Sequence, residues 1–267
     1  MRILLLIPFL LITACRSTED RVTVVTSTSM ISSVVHEVAG ERIDVVSIVP
    51  AGMCPGHFDL KPDDVKRASI ADAVLIHGWE EWMGELLRSV GQRSSTVRTI
   101  PIRRSWMVPS VHLEAVDWIV ATLSSIDPEA GEYFRRNGSQ YRQSILENIV
   151  SLEEQAKGLE GIPVLANQHQ SEFLEWLGFR VAATFASDAG ASPGELVALV
   201  RRAKDENVRL VVDNLQDEAQ VGKLISDELN GIHVVLTNFP LEGSYLDALN
   251  DNVKRLLEAV GTMRIEE

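Results

Sequence analysis

The chain has 267 residues, 45% hydrophobic and 24% charged, enough apolar material for one large domain or two ordinary ones. Its formal charge of −13, with no basic tract, excludes nucleic acid as a partner, because phosphate binding needs clustered Lys and Arg. No low-complexity tract or close internal repeat is present.

In chain order, M-R-I-L-L-L-I-P-F-L-L-I-T-A-C comes first, with one positive charge and an apolar run from Ile3 to Ile12 that is too short to span a bilayer as a helix. Residues 1–14 read as an export signal. Their end, Ile12-Thr13-Ala14-Cys15, resembles the bacterial lipobox, in which cleavage precedes a cysteine that is then lipidated. Cys15 is therefore the expected lipidation site and residues 15–20 a tether, which makes the membrane a partner through the lipid anchor. The chain has two cysteines, so Cys54 is left without a disulfide partner. Its thiol is either buried and inert or held by a metal.

From Arg21 to Thr28 a β-branched run predicts a strand, and apolar spacing from Met30 to Ala39, closed by Gly40, predicts a helix. A strand from Ile43 to Pro50, the loop M-C-P-G-H-F-D-L-K-P, a helix over residues 63–71, a strand in A-D-A-V-L-I-H-G and a helix from Trp79 to Val90 follow. Strands alternating with helices predict a parallel sheet covered on both faces, here an N-terminal lobe of residues 21–126. From Asp127-Pro128 onward, apolar residues recur every three or four positions at Ala130, Tyr133, Phe134, Tyr141, Ile145, Ile149, Leu152, Ala156 and Leu159. That pattern predicts one long linker helix over residues 127–160, stopped by Gly161-Ile162-Pro163. A second alternating series, residues 161–267, gives strands in I-P-V-L-A-N-Q-H, F-R-V-A-A-T-F, V-R-L-V-V-D-N and I-H-V-V-L-T-N, with helices between them and a last helix from Tyr245 to Val260. The fold class is α/β: two doubly wound α/β lobes joined by a long rigid helix, with a ligand cleft at the carboxyl ends of the strands.

Six histidines are candidates for chemistry. His57 lies in the loop after the second strand, His112 follows the connecting segment W-M-V-P-S-V, and His169 closes the first strand of the second lobe. These three can meet at the cleft, and three neutral imidazoles suit zinc, with Cys54 as a thiolate completing a tetrahedral set. His36 and His233 read as ordinary surface or core residues, and His77, ending a strand, reads as at most a supporting residue. A catalytic zinc would use a similar triad, yet H-E-x-x-H, G-x-S-x-G and a phosphate-binding glycine loop are all missing, so no enzyme is expected.

Several stretches, taken together, resemble the zinc/manganese solute-binding proteins of ABC importers: V-V-T-S, V-A-G-E-R-I-D-V-V-S-I-V-P-A-G, P-G-H-F-D-L-K-P-D-D-V, D-P-E-A-G-E-Y-F-R-R-N-G-S-Q-Y and S-Y-L-D-A-L-N-D-N-V. The resemblance implies a monomeric extracytoplasmic lipoprotein, in a periplasm or on the outer face of a membrane. Such a protein captures Zn2+, or less readily Mn2+, as cargo and delivers it to a permease. It also puts the family's metal ligands on His57, His112 and His169. The family's second histidine sits in Asp-Pro-His-(Leu/Trp)-Trp-Leu-Asp-Pro, whereas the text around His112 is P-S-V-H-L-E-A-V. The family's fourth ligand is an Asp, and Asn238 stands in its place, which argues against manganese and leaves Cys54, Asp213, Asn238 or water as the fourth ligand. The alternatives are a metal chelate, siderophore or corrinoid, bound by the same fold, and a zinc-dependent hydrolase.

Overall fold

The computed structural model describes residues 21–91, 96–186, 193–217 and 221–265, and within them every side chain except those of His57, Met83, Val90 and Pro193. The first half contains β1 (Val22–Thr26), α1 (Ser29–Ala39), β2 (Ile43–Ser47), α2 (Pro62–Ile70), β3 (Ala73–Ile76), α3 (Met83–Val90), β4 (Val97–Thr99) and α4 (Pro109–Ile126). After α5 (Gly131–Ala156) come β5 (Pro163–Asn167), α6 (Ser171–Trp176), β6 (Arg180–Phe185), α7 (Pro193–Asp205), β7 (Leu210–Asn214), α8 (Val221–Leu229), β8 (Ile232–Leu236) and α9 (Tyr245–Ile265). Both sheets are four-stranded and parallel, ordered β2-β1-β3-β4 and β6-β5-β7-β8, so the two lobes share one winding.

Local chemistry explains where the elements begin. Thr28 caps α1 by accepting the Ile31 N–H, and the Lys61 N–H donates to Asp64 in the first turn of α2. The helix expected from Trp79 starts instead at Met83, because the Glu80 carboxylate accepts the backbone N–H groups of His77, Gly78 and Trp79 and holds that stretch as a turn. Pro109 stands in the first turn of α4, where its missing N–H costs nothing, so the last three residues of the segment read as a connector before His112, Pro109 to Val111, are already helix. The three-residue strand β4 carried no readable period.

The long helix is α5, 26 residues and about 39 Å, with short 3-10 turns at Pro128–Ala130 and Lys157–Leu159 on either side. It packs along α4 with Gly138 facing Val120, where an added Cβ would come within 2.4 Å of a Val120 methyl. Among the described residues, three apolar cores result. One lies on the outer face of the first sheet, among Val25, Phe58, Val74, Trp82 and Leu86. Another lies on the outer face of the second, among Leu165, Phe185, Val211 and Ile225. The largest runs without a break from Val24 and Met30 through Ile119, Phe134 and Tyr141 to Phe173, Tyr245 and Leu256, so both lobes and the helix between them share it. Among the described residues no helix is long and apolar enough to cross a membrane.

Candidate metal site

In both sheets the strands' carboxyl ends carry the residues of interest, as expected for open α/β sheets. After β2 the chain makes a 3-10 turn, Pro55–His57, with Cys54 preceding it as a half-buried free thiol. The turn is pinned from below: the Trp82 indole N–H donates to the Pro55 carbonyl at 2.9 Å, and the same ring meets Phe58 edge-on. His57 closes the turn, and its side chain, like Cys15, lies outside what the structure describes.

His77, at the end of β3, is a buried part of this lobe. Its Nε2 lies 3.0 Å from the Thr28 hydroxyl, and its ring stacks on Trp79 and meets Trp106 edge-on. Burial lowers its pKa to about 4, Glu80 opposing and Arg103 reinforcing the shift, so the ring is neutral at ordinary pH.

His112 does not take the ligand position expected of it. It sits in the first turn of α4, wholly buried, with its ring stacked on Tyr245 at 3.5 Å between centroids. Its Nε2 is 3.0 Å from the Tyr141 hydroxyl, while Nδ1 is enclosed without a hydrogen bond of good geometry. Burial pulls its pKa down to about 3 against a smaller opposing effect of the Trp106 backbone. A ring covered on its face and bonded at Nε2 is core, not a cargo ligand. The pattern behind the expectation shows the slip: its Trp-x-x-Pro is Trp106 to Pro109, which puts Arg104 two residues before the Trp, where the family has histidine. Arg104 lies at the cleft's edge, its Nε 3.8 Å from Glu172 of α6, and the Ser105 N–H donates to the same carboxylate at 3.0 Å.

On the second lobe, His169 follows β5 with its side chain about half exposed, and Asp217, in the turn after β7, lies close by. The His169 Nε2 to Asp217 Oδ2 distance is 3.8 Å. Asn167, wholly buried at the end of β5, touches both: its Oδ1 accepts the His169 N–H at 2.9 Å and its Nδ2 donates to Asp217 at 3.0 Å. Asn238 is engaged elsewhere, its Oδ1 accepting from Gln170 and its N–H donating to Gln216. Asp213 is fully buried, accepting the Gly222 N–H at the start of α8 and contacting His233 at 3.3 Å, so it serves the lobe's interior and not the cleft.

Between the lobes, Thr28, Ser29, Pro50, Met53, Pro55 and Phe239 line a shallow crevice with no room for a free water molecule. The structure thus brings His169 to Asp217 and places Cys54 and His57 in the turn after β2 of the first lobe, and it does not bring His112 to either. Among the described residues no three His, Cys, Asp or Glu side chains converge on one point. Sequence reasoning missed Asp217; a carboxylate in the turn just past a strand's carboxyl end was the available signal.

The family described as zinc-uptake complex component A, periplasmic (ZnuA), matches residues 24–259. The chain belongs to the ZnuA family. A manganese-binding lipoprotein of Halalkalibacterium halodurans is 25% identical over 261 residues, covering 86% of this chain and 85% of its own length. The manganese-binding lipoprotein of Bacillus subtilis is 21% identical, with 92% of each chain covered. An iron ABC transporter substrate-binding lipoprotein of Streptococcus pyogenes is 37% identical, but over only 26% of this chain and 24% of its own. Among solved structures, a manganese-bound periplasmic metal-binding protein of Candidatus Liberibacter asiaticus superposes with a TM-score of 0.77 at 17% identity, covering 89% of this chain and 99% of its own. A crystal structure of ZnuA gives 0.77 at 15% identity, covering 90% and 99%. These two likenesses confirm two parallel-sheet lobes. ZnuA-family proteins are substrate-binding components of metal ABC transporters and not enzymes, so the hydrolase alternative falls away.

Proposed function

We propose that the chain is a lipid-anchored, extracytoplasmic substrate-binding protein that captures a zinc ion between its lobes and passes it to an ABC permease. The observation that carries this reading is the ZnuA-family match over residues 24–259, in a fold that puts the turn bearing Cys54 and His57, and His169 after β5, at the carboxyl ends of the strands. Where the lobes meet at Thr28, Met53, Pro55 and Phe239 there is no room for a free water, so no hollow of the about 300–1,000 Å3 that organic ligands such as siderophores or corrinoids occupy lies there. His57 and Cys54 on the first lobe and His169 on the second are the cargo ligands, and His112 is left out.

Nitrogen and sulfur donors favour zinc, while manganese prefers oxygen-rich shells, and here the amides Gln170, Asn214 and Asn238 bond to one another at the place where carboxylates would serve a harder ion. Imidazole and thiolate must be deprotonated to bind, so affinity falls in acid. The anchor is Cys15, and the permease releases the ion by docking against the cleft face. Competition between zinc and manganese for the full-length protein in detergent tests the metal. Zinc is expected to displace manganese at equal concentration; manganese binding the tighter of the two would overturn the assignment.

A further inference from the structure

The cleft's amide-rich side poses a chemical problem: a dication held only by neutral groups and a single thiolate keeps half of its charge uncompensated. We propose that Asp217 supplies the missing anionic ligand, and that Asn167 positions it together with His169 as one two-toothed unit. The proposal rests on the metal-capture reading above and adds to it a ligand and a positioning residue.

The other anions and amides of this region are already committed. Asp213 accepts the Gly222 N–H at 2.9 Å inside the lobe. Gln170 donates to both Asn214 and Asn238, at 2.9 and 3.0 Å, and Gln216 bonds to Thr237 and to the Asn238 N–H. Asp217 differs. Its side chain is 13% exposed, and among the described residues no Lys or Arg is paired with it. Its approach to His169, 3.8 Å between Oδ2 and Nε2, is too long for a hydrogen bond. It is close to the separation of two donors on one ion: with bonds of about 2.0–2.1 Å, a tetrahedral angle puts donors about 3.4 Å apart, so an inward shift of about 0.4 Å would seat both on a zinc ion.

Asn167 explains how the pair is held at this spacing. Its buried amide is used at both ends, Oδ1 accepting from the His169 backbone and Nδ2 donating to Asp217 Oδ2. One side chain thereby fixes the loop that carries the imidazole and the oxygen that faces it. Outer-sphere partners of this kind orient ligands, and their loss typically costs about 10- to 100-fold in metal affinity.

The test uses the full-length protein in detergent, with zinc affinity measured by chelator competition and cobalt(II) as a spectroscopic probe. Asp217→Asn is expected to weaken zinc about 100-fold or more, beyond an outer-sphere loss, and to change the cobalt d–d bands. Asp217→Glu should recover part of the affinity. Asn167→Ala should weaken zinc about 10- to 100-fold, and the Asn167→Ala/Asp217→Asn pair should cost less than the sum of the two. Asp205→Asn, an exposed carboxylate on the same lobe, should change nothing, and thermal melts of each variant separate binding from folding. If the wild type binds one zinc and Asp217→Asn binds equally well with an unchanged cobalt spectrum, the proposal is overturned while metal capture stands. If the wild type takes up neither zinc nor cobalt, both fall.

Discussion

The turn that carries His57 was legible from the sequence because its context is local, proline and glycine forcing it. His112 was not, because its role depends on tertiary packing. Once Pro109 starts α4, the imidazole turns inward against Tyr245 and Tyr141, partners more than two dozen residues away along the chain. His112→Phe, which keeps an aromatic ring in the stack, is therefore expected to alter zinc affinity less than about twofold, measured by chelator competition. The same change should show in acid unfolding of the metal-free protein. His77 and His112 take up protons near pH 4 and 3 when folded and near 6.5 when unfolded. Between those values the unfolded chain binds more protons, so the stability they contribute is complete above pH 6.5 and declines as pH falls, by about 1.4 kcal/mol per pH unit for each ring. Urea unfolding midpoints at pH 7, 6 and 5 should fall in that order, and His112→Phe should shallow the slope by about one proton.

Strands and helices with a full period were readable one element at a time, while those set by a single side chain or a short pairing were not. Glu80 delays α3 by collecting three backbone N–H groups, and β4 has only three residues with which to show any pattern. Glycine 138 is the clearest case of a residue whose reason lies in another element, since only hydrogen fits against Val120 across the α4–α5 contact. Gly138→Ala is expected to cost about 1–3 kcal/mol by urea unfolding, through overpacking that outweighs the gain in helix propensity. Trp82 acts from α3's threshold on the turn that bears Cys54 and His57. Trp82→Phe removes the bond to Pro55, and zinc affinity should drop severalfold while the fold persists, as checked by circular dichroism alongside the competition assay.

At the scale of the molecule, one core shared by both lobes and α5 means that wide opening would expose continuous apolar surface, so the proposed capture and release are expected to proceed through small motions near the cleft. The contact of Glu172 with Ser105 and Arg104 spans the lobes at that edge. Glu172→Ala should speed zinc release by roughly fivefold, for about 1 kcal/mol lost, in stopped-flow chelation. The two-lobe plan was visible in the alternation of strands and helices; the pairing of His169 with Asp217 was not, because it is made by strands β5 and β7 meeting side by side. The most direct test of the whole account is the metal content of the full-length protein purified from membranes and dialysed against metal-free buffer. One zinc per chain in the wild type, lost when His57 and His169 are both replaced by alanine, is the expected result. A wild type that takes up no zinc on titration, or a double variant that keeps its full complement, would contradict it.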